Sequence, residues 1–131
     1  MRFTQEFHTR LTHEEAIERV TATLKEQGFG VLTRIDMRET LQQKLGVDTP
    51  PQVILGACNP DLAHRATSAD PRIAALLPCN VVVRTDGDET VIEALDPNLM
   101  GELSDNEDVR AAADEATGRL RAALEAVGME G

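Results

Sequence analysis

The chain has 131 residues, a length that fits one domain (1–131) burying about two-thirds of its unfolded surface. Its formal net charge of −10 repels a phosphate backbone, and no basic block exists to anchor an anionic membrane, so neither nucleic acid nor membrane is an expected partner. With 41% hydrophobic residues but no Trp, no Tyr and only three Phe, the core must be aliphatic.

The opening residues, Met1 to Phe7, lack the apolar stretch of a signal peptide. No apolar run approaches the ~20 residues of a membrane helix. A cytosolic location is therefore expected, where two cysteines are free thiols rather than a disulfide.

In chain order, Phe3, Gln5 and Phe7 alternate with Thr4, Glu6 and His8, which predicts a strand. Thr12 opens a helix, with Glu15 at capping-box spacing. Ala16, Ile17, Val20 and Leu24 form its apolar stripe, and Gly28 stops it. Phe29 to Ile35 reads as a second strand. Asp36 caps a second helix, with Met37, Leu41 and Leu45 on one face. Thr49-Pro50-Pro51 is a rigid connector.

Gln52 to Cys58 is a third strand, nearly all apolar, expected to be central or covered on both faces. Asn59 caps the next helix and Pro60 takes its first position, where a missing N–H costs nothing. Leu62, Ala66, Ala69 and Ile73 mark its inner side, and Asp70-Pro71 breaks it. Cys79 to Arg84 and Thr90 to Leu95 are strands joined by the Asp86-Gly87-Asp88 turn. Asn98 to Leu103 reads as a connector. Ser104 then starts a last helix, about 104–127, with Val109, Ala113, Ala116, Leu120, Ala123, Leu124 and Val127 inward. The order β-α-β-α-β-α-β-β-α predicts an α+β two-layer sandwich with a mixed or antiparallel sheet.

Four segments carry a resemblance: Gly28 to Leu32, Ile54 to Pro60, Leu62 to His64, and Leu76 to Val83. Paired Ala-Cys-Asn-Pro and Leu-Pro-Cys-Asn motifs at this separation resemble the family of domain of unknown function 302. The resemblance spans about residues 3–96. It implies a compact α+β domain of bacteria and archaea and no established reaction.

Chemistry concentrates on the two Cys-Asn junctions. Cys58 stands at a strand-to-helix turn, where helix N–H groups lower a thiol's pKa or hold a small anion. The plain alternative is a small apolar residue ending a core strand. Cys79 opens a strand and becomes its partner if the two strands are neighbours. The leading expectation is a binding or interaction module taking a small ligand or anion at Cys58, Asn59, His64, Cys79 and Asn80. One alternative is a thiol-dependent redox sensor or enzyme using Cys58 and Cys79. Another is a metal protein using Cys58, Cys79 and His64, although a fourth ligand and structural zinc spacing are missing. No cofactor is expected. A homodimer is expected, because an open sheet edge and an Ala-rich helix favour self-association.

Overall fold

In a computed structural model, which describes residues 3–128, the strands form one antiparallel five-stranded sheet. The elements are β1 (Thr4–Thr9), α1 (His13–Glu26), β2 (Gly30–Asp36), α2 (Met37–Leu45), β3 (Gln52–Cys58), α3 (Pro60–Ala69), β4 (Cys79–Asp86), β5 (Glu89–Leu95), α4 (Asn98–Leu103) and α5 (Glu107–Gly128). A 3-10 turn, Pro71–Leu76, lies between α3 and β4. The order β1-β5-β4-β3-β2 places β1 and β2 at the edges. The α+β expectation holds, and its mixed or antiparallel sheet resolves to antiparallel.

Helices cover one face. Ile17, Val20 and Leu24 of α1 and Leu120, Leu124 and Val127 of α5 pack on Leu55, Val81, Val83 and Ile92. Strand alternation explains the match. Phe7, Ile92, Val83 and Val53 are successive register partners, so they share the covered face. The opposite face is open. There Ile35, Ile54, Val82, Glu93 and Glu6 form one row across all five strands. β3 is thus interior to the sheet but covered on one face only, with Ile54 half-buried.

Local signals behave as elementary chemistry requires. Thr12 and Glu15 make both bonds of the capping box. Gly28, at φ 86°, follows α1 in a left-handed conformation that other residues resist. Gly56 lets the chain close up over the open face, since a Cβ there meets Thr33 Oγ1 and lies 2.9 Å from Pro78 Cγ. The Leu77–Pro78 peptide is cis.

Three expectations are corrected. The Met37, Leu41 and Leu45 stripe of α2 is not buried, and Leu45 is 70% exposed. α2 flanks an edge strand, so no second layer covers its apolar face. The expected connector Asn98–Leu103 is the helix α4. The last helix begins at Glu107, not Ser104, because Asn106 Oδ1 accepts from the N–H groups of Asp108 (2.8 Å) and Val109 (3.3 Å). Ser104 instead donates to Asp70 Oδ2 at 3.1 Å.

Candidate ligand cavity at the β3–α3 junction

The site begins with a change of direction. β3 ends at Cys58, and Asn59 takes the extended conformation that a helix cap needs. Its Oδ1 accepts from Leu62 N at 3.2 Å, and Pro60 fills the first turn. Asn59 Nδ2 reaches back to donate to Gln27 O at 3.5 Å, beside the end of α1. This cap is 6% exposed, so its polar atoms are committed to the backbone.

Behind the cap lies a cavity of about 40 Å³. Ala57, Cys58 and Leu62 line one side, with Cys79, Met100 and Ala113 among the residues opposite. The lining is almost wholly apolar. A space of this size exceeds the ~10–15 Å³ that one water occupies, but an apolar lining offers water no partners. The walls belong to a small satellite core of Ala66, Ile73, Cys79, Met100, Val109, Ala112 and Ala113.

The two thiols meet at this cavity without forming a disulfide. Register makes them neighbours: Cys79 is opposite Ala57, one residue before Cys58. Cys79 is 7% exposed. Burial pushes its thiol up to about 11, and the adjacent Cys58 adds to the rise. Cys79 therefore stays protonated at neutral pH and behaves as a small apolar group with a weak donor. Cys58 is the partly exposed thiol of the pair.

The outer wall is held by a polar clamp. Asp70 accepts from Arg72 Nη2 (2.8 Å), Arg72 Nε (3.0 Å) and Ser104 Oγ (3.1 Å). The Arg72 guanidinium holds the Asp70 carboxyl well below the usual carboxylate range. Asn106 Nδ2 donates to Ala69 O at 3.2 Å, tying the end of α3 to the start of α5.

Of the five sequence-derived residues, three come together: Cys58, Asn59 and Cys79. His64 does not line the cavity and is exposed on the outer side of α3. Asn80 pairs with Gly56 on the open sheet face and is exposed there. Among the described residues, no three His, Cys, Asp or Glu side chains group as metal ligands. Cys58, Cys79 and His64 thus do not assemble the metal set considered from sequence. No charged side chain lines the cavity among the described residues. Sequence reasoning missed Met100, Ala112 and Leu77, which wall the cavity from α4, α5 and the cis-proline segment. The small-residue stripe of α5 was the available signal.

The family model for domain of unknown function DUF302 matches residues 5–127. The match runs through α5, beyond the 3–96 span of the sequence motifs. The crystal structure of an uncharacterized conserved DUF302 protein from Bacillus stearothermophilus superposes with a TM-score of 0.90 at 31% identity. The superposition covers 97% of this chain and 99% of that one. No curated protein matches. Among the described residues, no helix is long and apolar enough to cross a membrane.

Proposed function

Since the chain belongs to the DUF302 family, for which no specific function is established, we propose from its geometry a binding module that holds a short apolar group against Cys58. One observation carries this reading: both thiols and the α3 cap converge on one apolar cavity at the end of an interior strand. Burial of an apolar group there is favoured at about 25 cal/mol per Å². The Cys58 thiol supplies a soft, polarizable contact at the edge.

Paired thiol reagents test it. Methyl methanethiosulfonate and its sulfonatoethyl analogue transfer different groups to a thiol by the same exchange. The expected result is that the methyl reagent modifies Cys58 at least about tenfold faster, relative to the ratio on an unfolded peptide thiol. Equal relative rates overturn the reading. A thiol-redox function draws less support, because Cys79 is protonated at neutral pH and is a poor resolving nucleophile.

Two free thiols suit a reducing compartment, so we place the module in the cytosol. We also propose a homodimer formed over the open sheet face. Ile35, Ile54 and Val82 make an apolar row there, and a two-fold copy covers that row with its own. Light scattering at micromolar concentration gives a dimer mass on this reading and a monomer mass against it.

A further inference from the structure

We infer that the seam between β1 and α5 is a second binding site, one for a small zwitterion of the α-amino-acid class, with Gln5 at its floor. The site is independent of the thiol cavity. It lies at the β1 edge of the sheet, against the C-terminal half of α5.

Gln5 sits opposite Ala94 on the helix-covered face and is 6% exposed. Among the described residues, neither Gln5 Oε1 nor Gln5 Nε2 has a hydrogen-bond partner, and both atoms are closed off from water. Such a side chain carries the full desolvation cost of an amide with nothing in return, and an apolar residue of the same length costs less. The position therefore calls for a bound partner.

The surroundings define that partner. Gln5 lines a cleft of about 290 Å³ with Thr4, Glu6, Phe7, Asp96, Arg121 and Glu125. Arg121 and Glu125 are four residues apart on α5 and do not pair with each other. Neither has an ion-pair partner among the described residues. Asp96 commits Oδ1 to Asn98 N and Thr117 Oγ1. The cleft thus offers a cation, three carboxylates, of which Glu6 is already paired with Arg84 and His8, and an amide with one acceptor and two donor hydrogens.

A simple anion is opposed by Asp96 and Glu125, and a simple cation by Arg121. A zwitterion satisfies both. Its carboxylate accepts from Arg121 and Gln5 Nε2, and its ammonium donates to Gln5 Oε1 and Glu125. The Arg121 and Glu125 side chains are at exposed positions, so rotamer changes open the way to the amide.

Glycine titrated into isotope-labelled protein, read by NMR, tests the site. The expected result is saturable binding in the millimolar range, with shifts at residues 4–7, 96 and 121–125. Acetate and methylammonium each bind at least about tenfold more weakly. Gln5→Met folds and loses glycine binding, and Arg121→Ala, on an exposed face, loses it too. Should Gln5→Met fail to fold, Arg121→Ala decides. No saturable glycine effect on the wild type, or undiminished binding in a folded variant, overturns the inference. So does a crystal grown in saturating glycine that shows only ordered water on the Gln5 amide.

Discussion

The Asn59 side chain joins two helix ends: it accepts from Leu62 N to start α3 and donates to Gln27 O, 32 residues earlier, just past α1. One residue therefore fixes both the local turn and the approach of α1 to it. Asn59→Ala is expected to cost about 1–2 kcal/mol, the loss of a cap plus the loss of the side-chain donor to the Gln27 carbonyl. Asn59→Asp keeps the acceptor and loses the donor, so it falls between the two. Urea unfolding of the three proteins checks the order.

The close approach at Gly56 gives a sharper test. A Cβ there meets Thr33 Oγ1 on β2 and Pro78 Cγ. Gly56→Ala is expected to destabilise by about 1–3 kcal/mol, as overpacking does. Thr33→Ala in the same background returns part of the loss. An additive double-mutant cycle, measured by denaturant midpoint, counts against this contact.

Met100 links stability to the cavity. It is 5% exposed and forms part of the cavity wall. Met100→Ala is expected to cost about 2–4 kcal/mol and to enlarge the space beside Cys58. The apolar thiol reagent then reacts faster, and its charged analogue gains less. Parallel thermal melts and modification rates report both effects.

Acid stability turns on Asp70. The bonds from Arg72 and Ser104 lower its pKa in the folded state. The unfolded chain binds this proton more readily, so the contribution is fully present above the ordinary carboxylate range near pH 4. It is lost as pH falls from there toward the depressed folded value. Asp70→Asn is expected to lower the melting temperature at pH 7 and to flatten the acid limb of the stability curve. A limb as steep as the wild type's rejects the assignment.

Much of the fold was written locally. The Thr12 and Glu15 capping box, the Asn59-Pro60 start and the Asp86-Gly87-Asp88 hairpin each depend on residues a few positions apart. Chain order brought Cys58 and Cys79 together only on condition that β3 and β4 are neighbours, and the sheet pairs those two strands. What failed was tertiary. Met37, Leu41 and Leu45 have helical spacing, but spacing does not say whether another layer exists to cover them. Ser104 and Asn106 are both capping residue types, and in the structure Asn106 caps the helix while the Ser104 hydroxyl donates to Asp70. The cavity's far wall joins α4 and α5 to α3, a meeting that no short window of sequence describes.

The β2–α2 arm has one further consequence. Its nine-residue helix buries no side chain, and its strand is bulged near Leu32 and has a single neighbour. Few apolar contacts oppose its opening, so its amide protons exchange with solvent well before those of β4 and β5. Gly30, the first residue of that arm, is paired with Cys58. The backbone of Cys58 thus shares its ladder with the loosest arm of the sheet, and its amide proton is expected to exchange with that arm's rather than with those of β4 and β5.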